Sequence, residues 1–513
     1  MKKSLISFLL ISLAGIALTS CNIYTPFLSS ETKESSSYTY ETPSRPDTSD
    51  GYYKVDGNSF RPYSMKDIYN SYGADTVPST GNVKILVLPI EFSDYKFSSD
   101  FSSKLSLALQ GEGEEGTTGY WESLASFYKK SSYGKLNLSF EIASIYKPNM
   151  SAKSAYDNYG SSQTNSDNGV TLTEAALTNY RSSHSLAQFD SDGNGFIDGV
   201  IAVYSCPNGN SGKLSFNDAT DYFWAYTFWA NNDPNRLNPT MSTYFWLSQD
   251  FLINNNGIDA HTLIHEFGHM LGLDDYYPES GSRFNPTGGS LMMDHNILDH
   301  DSYSKAVLGW TDPIVADEDC TVEIGPANST GDCIIIPTGT WNGTVYDEYL
   351  LLELYTPDGL NYLDSHVRYN NGLLGYTVPG IKIYHIDSRV MEINVKGNTN
   401  YTYEAEYYSN PKLNPGNRTF YKIGATNCQK DYAYADSNFS LIHLLEATGI
   451  NTFKNGYYGN DMTLFKSNSK FTSTKFRAFF PNGLKYNNGD YTDIEIDVNE
   501  VSSTKASLTF RYN

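Results

Sequence analysis

An apolar stripe with helical spacing marks the segment from residue 259 to residue 272. Its apolar members are Leu263, Ile264, Phe267, Met270 and Leu271. This spacing predicts an amphipathic helix with Asp259 as its N-cap. Gly272 is expected to end the helix, because glycine adopts the left-handed backbone conformation at little cost. His265, Glu266 and His269 lie beside the stripe, so one face is expected to pack on the core while the other faces a cleft.

Short runs of β-forming residues dominate the chain beyond Trp310. Three of them span residues 349–354, 380–386 and 506–512, and clusters of Asn, Gly, Asp and Pro separate such runs. The pattern predicts a β-sandwich-like C-terminal domain, with irregular insertions between about residues 390 and 480. An earlier apolar run at residues 200–204 predicts a buried strand.

The amino terminus has the pattern of a secretory signal. Lys2 and Lys3 precede an apolar run at residues 5–18, and small residues lead to Cys21. Leu18, three residues before Cys21, is typical of a bacterial lipoprotein signal, in which Cys21 becomes the first mature residue and carries lipid. An ordinary cleaved signal is the alternative. On the first interpretation the protein is anchored to the membrane on the extracellular face of a bacterial cell.

The segment from residue 22 to residue 80 leads into the folded body. Up to about residue 51 it is rich in Ser, Thr, Glu and Tyr and poor in apolar residues, which predicts a flexible tether. Residues 52–80 are interpreted either as a short lead-in to the next domain or as the remnant of an inhibitory segment.

Length, charge and cysteine content narrow the function. The chain has 513 residues, 14% of them aromatic, which is enough for two or more domains. Its formal charge of −22 argues against nucleic-acid binding, which needs basic faces. Outside the cell disulfides are permitted. A pair between Cys320 and Cys333, which flank a predicted hairpin, is favoured over pairings with Cys206 and Cys428.

Three residues of the predicted helix have the spacing of a catalytic zinc site. His265 and His269 are four residues apart, so they lie one turn from each other on the same face and can bind one ion. Glu266, next to the first histidine, is then placed to act as general base on a water molecule at the metal. His261, one turn earlier, is interpreted as a structural or surface histidine.

The third zinc ligand is expected just beyond Gly272. The turn there can bring an aspartate back towards the histidines, and a carboxylate oxygen is a suitable zinc ligand. Asp275 is the predicted ligand, and its neighbour Asp274 is the alternative.

Residues 190–198 match the first part of an EF-hand calcium loop. Oxygen-bearing side chains occupy loop positions 1, 3, 5 and 9, with glycine at position 6 and a backbone carbonyl at position 7. The predicted calcium ligands are Asp190, Asp192, Asn194, Phe196 and Asp198. Ile201 stands where an EF-hand has its bidentate glutamate, so a structural calcium site is expected rather than a sensor. A metal-free turn rich in Asp and Gly is the alternative.

Several motifs, taken in order, resemble one family of bacterial peptidases. The pattern HExxHxxGxxD at residues 265–275 resembles the metzincin clan, and within it the immune inhibitor A-like metallopeptidases. Further segments similar to that family are the core strand at 83–94, the SYGKL segment at 126–136, the Asp-Asp-Tyr-Tyr motif at 274–277, the methionine turn at 288–294 and the LGW helix at 303–310. The resemblance covers about residues 80–313.

The resemblance implies an α+β architecture. A metzincin-like catalytic domain of mixed sheet and helices is expected at residues 81–313, followed by the β-rich domain at 314–513. Either Met292 or Met293 is expected to form the floor of the metal site, and Met292 is favoured. Leu291 stands where relatives often carry an acidic residue, so the support of this turn is expected to differ.

The implied function is that of a secreted, lipid-anchored zinc endopeptidase that acts on extracellular proteins or peptides. Glu266 is expected to take a proton from the attacking water and to deliver it to the leaving amine. Tyr276 and Tyr277 are candidates for an oxyanion donor, although packing is the favoured explanation for both. The alternative from another class is a surface adhesin or glycan-binding protein that keeps a peptidase fold without activity. The substrate is left open, because a zinc motif does not report on the walls of the cleft.

Overall fold

The computed structural model describes most of the chain from residue 46 to residue 512. The positions left out within that span are 47, 61–63, 72, 112–120, 161–166, 210, 217–221, 231, 256, 279–282, 370–371, 396–403, 408–417, 428–438 and 481. The predicted signal peptide, Cys21, the tether up to residue 45 and Cys428 lie outside the described residues. No helix in the described part is long and apolar enough to cross a membrane.

The described chain is a mixed α+β structure, as predicted. Its α-helices are α1 (Met65–Ser71), α2 (Phe101–Gln110), α3 (Leu124–Ser131), α4 (Ala152–Ala155), α5 (Val170–Arg181), α6 (His261–Met270), α7 (Met292–His295), α8 (Ser302–Val307), α9 (Ala327–Thr330) and α10 (Tyr362–His366). Its strands are β1 (Tyr52–Lys54), β2 (Gly81–Ile90), β3 (Leu136–Ile142), β4 (Phe196–Ile197), β5 (Val200–Tyr204), β6 (Tyr226–Trp229), β7 (Thr240–Met241), β8 (Thr243–Ser248), β9 (Ile253–Asn254), β10 (Gly257–Ile258), β11 (Ile314–Ala316), β12 (Cys320–Ile324), β13 (Cys333–Pro337), β14 (Glu348–Tyr355), β15 (Gly380–Asp387), β16 (Val390–Val395), β17 (Glu404–Tyr407), β18 (Arg418–Ile423), β19 (Ile442–Leu444), β20 (Ser469–Thr472), β21 (Ile494–Val501) and β22 (Ala506–Tyr512).

The first half of the described chain is built on a five-stranded sheet with the order β3-β2-β5-β8-β6. Four strands are parallel, and the edge strand β6 pairs antiparallel with β8. Both faces of β5 and β8 are covered, which explains their nearly continuous apolar sequences. Side chains of alternate positions pack towards α6 on one face and towards α5 on the other. The predicted strand at residues 200–204 is confirmed as β5.

Two further sheets dominate the chain beyond residue 313. Among the described strands, one sheet has the order β1-β11-β13-β14-β15-β19 and the other has the order β12-β22-β21-β20. One hydrophobic cluster contains side chains of both sheets, including Ile336, Leu352, Ile383, Val322, Ile496 and Leu508. The predicted runs at 349–354, 380–386 and 506–512 are confirmed as strands and lie in β14, β15 and β22. A smaller sheet, β17-β16-β18, follows β15.

A second hydrophobic cluster crosses the predicted boundary at residue 313. It joins Ile85 of β2 and Phe267 of α6 with Tyr349 and Leu351 of β14. Strand β1, from the lead-in, pairs antiparallel with β11. The predicted catalytic and C-terminal domains therefore share this hydrophobic cluster, and the predicted lead-in shares a sheet with the C-terminal domain.

The described residues of the segment 52–80 belong to this fold. Strand β1 joins the large sheet, and α1 packs against the end of α6, where Met65 and Tyr69 lie beside Gly272. The backbone N–H of Val77 donates to the carbonyl of Met270 over 2.8 Å. These contacts brace the end of α6.

The predicted disulfide between Cys320 and Cys333 is wrong. Cys320 begins β12, which pairs with β22, whereas Cys333 begins β13, which pairs with β11 and β14. The two cysteines lie in different sheets and do not form a disulfide. The expected hairpin does not form because the helix α9 interrupts the connection and sends the chain from one sheet to the other.

Candidate metal centre

The helix α6 begins one residue later than the sequence predicts. Ala260 is the cap residue, so the assignment of Asp259 as N-cap is wrong by one position. Asp259 still satisfies a free amide, because its Oδ1 accepts a hydrogen bond from the backbone N–H of His261 over 3.0 Å. A carboxylate at this end is also favoured by the helix dipole.

The helix ends at the predicted glycine. Gly272 has φ +97°, in the left-handed region. Its N–H donates to the carbonyl oxygen of His269 over 2.9 Å. The N–H of Leu273 donates to the carbonyl oxygen of Gly268 over 3.1 Å. These two bonds form a Schellman motif, which reverses the chain and returns it to the helix face that carries the histidines.

Three predicted ligands, His265, His269 and Asp275, converge beside this turn. The Nε2 atoms of the two histidines are 3.2 Å apart. Oδ1 of Asp275 lies 3.1 Å from Nε2 of His265 and 3.2 Å from Nε2 of His269. Among the described residues, these are the one set of His, Cys, Asp and Glu side chains close enough to share an ion. All three side chains are buried.

Backbone carbonyls orient both imidazoles. Nδ1 of His265 lies 2.9 Å from the carbonyl oxygen of Met292, and Nδ1 of His269 lies 2.8 Å from that of Leu273. Because a carbonyl can only accept, each Nδ1 carries the hydrogen. A neutral ring then presents the lone pair of Nε2 to the shared centre, which is the tautomer that a metal ligand needs.

The spacing of the donor atoms fits a tetrahedral ion. Ligands held at about 2.0–2.1 Å around one zinc in tetrahedral geometry lie roughly 3.3 Å from each other. The three observed separations are 3.1, 3.2 and 3.2 Å. Two imidazole nitrogens and one carboxylate oxygen are also a donor set that zinc prefers, and three ligands leave a fourth position open. The three residues therefore fit a zinc ion that keeps one coordination position free.

The charged groups among the three predicted ligands favour a positive charge between them. Burial lowers the pKa of His269, but the carboxylates of Asp275 and Glu266 and the carbonyl of Leu273 together outweigh burial and raise that pKa to about 10. Burial likewise raises the pKa of Asp275, yet the two histidines hold it well below its usual range. The site thus stabilises a positive charge between these groups, and a divalent ion supplies that charge without a proton.

The geometry separates Asp275 from its predicted alternative, Asp274. Burial raises the pKa of Asp274, the charge of Asp275 raises it further, and a hydrogen bond from Thr426 and the charge of Lys422 partly offset both effects. The carboxylate of Asp274 therefore engages the segment at residues 422–426. Oδ1 of Asp274 also accepts the backbone N–H of Asp275 over 3.0 Å. Asp275 alone of the two reaches the histidines.

Glu266 is buried beside the two histidines and is held by Thr227. The hydroxyl of Thr227 lies 2.9 Å from Oε2 of Glu266 and 2.8 Å from the carbonyl oxygen of the same residue. Burial raises the pKa of Glu266, while His269, His265 and the Thr227 hydroxyl offset part of the rise. A carboxylate with a raised pKa is better suited to accept a proton at neutral pH.

The two methionines of the turn have different contacts. Met292, favoured by the sequence, supplies the carbonyl that orients His265. The sulfur of Met293 lies against the helix at Gly268, where a Cβ atom would come within 2.4 Å of it. Met293 is therefore the residue whose thioether packs under α6.

The two tyrosines after Asp275 also differ. Tyr276 is fully buried, its hydroxyl lies 2.9 Å from Oγ of Ser304, and its N–H donates to the carbonyl of Met293. The ring of Tyr277 lies beside His265, with 6.4 Å between ring centroids and nearly parallel planes. Tyr276 therefore packs in the core, and Tyr277 is the tyrosine next to the predicted zinc ligand His265.

The predicted calcium loop is closed by its own backbone. Asp190 accepts the N–H groups of Asn194 and Gly195, each over 3.0 Å. Asp198 accepts the N–H of Ser191 over 3.1 Å, and burial raises the pKa of its carboxyl to about 7. Phe196 donates its N–H to Oδ1 of Asn194 and begins the short strand β4.

A lysine ammonium lies at the edge of the same loop. Nζ of Lys66, on α1, is 2.6 Å from Oδ2 of Asp192 and 3.0 Å from Oδ1 of Asp75. Asp75 is nearly fully buried and also accepts a hydrogen bond from the side-chain amide of Asn194. A calcium ion that used Asp192 would have to compete with Lys66.

Sequence reasoning missed Thr227 and His295. Thr227 lies on the edge strand β6, 39 residues before Glu266, and no local motif marks it. Nδ1 of His295 contacts Oδ1 of Asp294 in α7, and its position directly after the methionines was the available signal. His385 lies in β15, within the predicted run at residues 380–386, and its Nε2 lies 2.7 Å from Oε1 of Glu348.

Comparison with known proteins gives no family assignment, since no protein-family model matches the chain and no curated protein is significantly similar to it.

Proposed function

We propose that this protein is a zinc-dependent metalloendopeptidase of the metzincin clan, similar to the immune inhibitor A-like peptidases. The observation that carries the proposal is the convergence of His265, His269 and Asp275 at mutual distances of 3.1–3.2 Å, with Glu266 buried beside them. The antiparallel edge strand of the first sheet and the methionine turn under the helix support the same assignment. The proposal includes a metzincin-like mixed sheet and a β-sandwich-like C-terminal part.

The three ligands would hold one zinc ion, and the two carbonyl-bound imidazoles would keep their Nε2 atoms directed at it. Zinc bound there lowers the pKa of a water molecule to about 7 and polarises the scissile carbonyl. Buried surroundings exclude bulk water and strengthen each electrostatic interaction in the site.

Glu266 moves the proton. Thr227 occupies Oε2 of its carboxylate, which leaves Oε1 to accept a proton from the attacking water. The same carboxyl group then delivers this proton to the nitrogen of the leaving amine. Glu266 thus acts first as general base and then as general acid. Tyr277, whose ring lies beside His265, is the proposed donor to the oxyanion.

The proposed location is the outer surface of a bacterial cell. This part of the proposal rests on the amino-terminal sequence, in which Cys21 would carry the lipid and residues 22–51 would form the tether. Extracellular proteins or peptides are then the proposed substrates. A structural calcium ion at residues 190–198 is proposed from the loop pattern.

Zinc content and casein hydrolysis, measured on the same preparations, test the proposal. The parent, Glu266→Gln and the control Glu323→Gln are compared, since Glu323 lies on an exposed position of β12. All three are expected to bind about one zinc, and only Glu266→Gln is expected to lose hydrolysis, by about 10²–10⁴-fold. A parent that binds zinc but cleaves nothing would instead support the silent surface protein.

A further inference from the structure

His261, at the start of α6, is fully enclosed and faces two carboxylates. Its side chain is 0% exposed. Nδ1 lies 2.6 Å from Oδ1 of Asp259, and Nε2 lies 3.2 Å from Oδ1 of Asp364. A neutral imidazole has one N–H and one lone pair, so it can satisfy only one of these two oxygens. An imidazolium donates to both, and its charge compensates part of the two negative charges buried with it.

Two aromatic rings hold the imidazole from either side. The ring of Trp121 stacks on it at 4.0 Å between centroids with an interplanar angle of 10°, and the ring of Tyr369 stacks at 4.2 Å with an angle of 27°. The Tyr369 hydroxyl also donates to Oδ2 of Asp259 over 3.2 Å. Aromatic faces attract a cation, so this stacking favours the protonated ring and restricts it to one orientation.

Asp364 connects this ring to the segment that orients a zinc ligand. It lies on α10, in the part of the chain beyond residue 313, and is fully buried. Its Oδ2 accepts the backbone N–H of Leu298 over 2.7 Å. Leu298 follows α7, whose first residue, Met292, supplies the carbonyl bound to His265. One carboxylate thus contacts both the start of α6 and the chain just after the methionine turn.

We infer that His261 is a positioning residue for the metal centre: its protonated ring, bound by Asp259 and Asp364, holds α6 in register with the methionine segment and so directs His265. Among the described residues, the ionisable groups in contact with the ring include those two aspartates and Tyr369. Burial lowers the pKa of His261, but the two carboxylates outweigh burial and raise it to about 9. The inference rests on the proposed zinc site, yet it concerns a residue outside the set of proposed zinc ligands.

Zinc affinity tests the inference without relying on hydrolysis. His261→Gln and Asp364→Asn remove the ion pair, and Asp358→Asn, an exposed aspartate near α10, is the control. Competition with a chelator is expected to show about tenfold weaker zinc binding in the first two variants and parental binding in the control. The visible spectrum of the cobalt-substituted protein is expected to change in the same two variants, because the orientation of His265 changes.

A second measurement on the parent keeps the test open if those variants do not fold. In protein labelled with ¹⁵N-histidine at pH 7.5, both ring nitrogens of His261 are expected to carry a proton. A neutral His261 ring, or folded variants with parental zinc affinity and cobalt spectrum, would overturn the inference. A parent that binds no zinc would instead overturn the proposed function, so the two failures are distinguishable.

Discussion

The hydroxyl of Thr227 lies 2.9 Å from Oε2 of Glu266 and 2.8 Å from the carbonyl oxygen of the same residue, so its one hydrogen is shared between the two acceptors and ties the edge strand β6 to the proposed general base. Both residues are buried, and in the proposed mechanism the other carboxylate oxygen of Glu266 accepts the proton of the attacking water. A threonine with no catalytic motif around it therefore orients the carboxylate on which the proposed reaction depends.

Thr227→Val is expected to slow hydrolysis and to shift its pH profile. A hydrogen bond to a charged group contributes about 1.5–3 kcal/mol, so kcat/KM is expected to fall about 10–100-fold. The bond lowers the pKa of Glu266, so its loss raises that pKa. Because the base must be ionised, the acidic limb of kcat/KM moves to higher pH. Zinc content is expected to remain at the parental level.

Thr243→Val is the matched control for that variant. Thr243 is buried on β8 opposite Trp229 of β6, and its hydroxyl has no hydrogen-bond partner among the described residues. The same substitution there is expected to leave the pH profile unchanged. An unshifted pH profile in Thr227→Val would contradict the proposed role of Thr227 in orienting Glu266.

The ion pair of His261 predicts a pH-dependent stability. The folded-state pKa is raised to about 9, above the unfolded value near 6.5. The contribution is therefore complete below about pH 6.5 and is lost as the pH rises through about 9. Asp364→Asn is expected to lower the free energy of unfolding by about 3–5 kcal/mol at pH 6 and by less at pH 10. Thermal unfolding at pH 6, 8 and 10 measures this, and an equal cost at all three values would contradict it.

The sequence predicts those features of the candidate metal centre that depend on one continuous segment. The helix α6, its end at Gly272 and the facing histidines all follow from spacing within one segment, and each is found as expected. The choice between Asp274 and Asp275 is not local. Contacts from Lys422 and Thr426, far along the chain, engage the first aspartate and leave the second to the histidines.

Features of the fold that depend on contacts between distant segments are not predicted for the same reason. The sequence divides the chain at residue 313 because composition changes there, but burial of Tyr349 and Leu351 against the first half is a tertiary property. Cys320 and Cys333 flank a short segment in the sequence, yet α9 within it directs them to different sheets. Composition and spacing report on neighbours along the chain and not on which sheet a strand joins.

Calcium and Lys66 are expected to compete for the loop at residues 190–198. The ammonium of Lys66 lies 2.6 Å from Asp192, so a calcium ion must displace it. Calcium is therefore expected to raise the melting temperature of Lys66→Met more than that of the parent. Lys54→Met, which changes a half-exposed lysine of β1, serves as the control and is expected to respond as the parent does. If calcium stabilises none of the three proteins, the calcium site is excluded.

Cys21 carries the prediction of membrane attachment. In bacteria that express the full chain, Cys21→Ser is expected to abolish labelling by radioactive palmitate and to release the protein from the membrane fraction. The parent is expected to be labelled and to sediment with membranes. Equal fractionation of the two proteins, with no label in either, would favour an ordinary cleaved signal.

Zinc stoichiometry in a pair of adjacent aspartate variants tests the central claim most directly. The parent and Asp274→Ala are each expected to contain about one zinc, whereas Asp275→Ala is expected to lose the metal, because only Asp275 lies within 3.2 Å of both histidine Nε2 atoms. Loss of zinc from Asp274→Ala with retention in Asp275→Ala, or a parent that contains no zinc, would contradict the account.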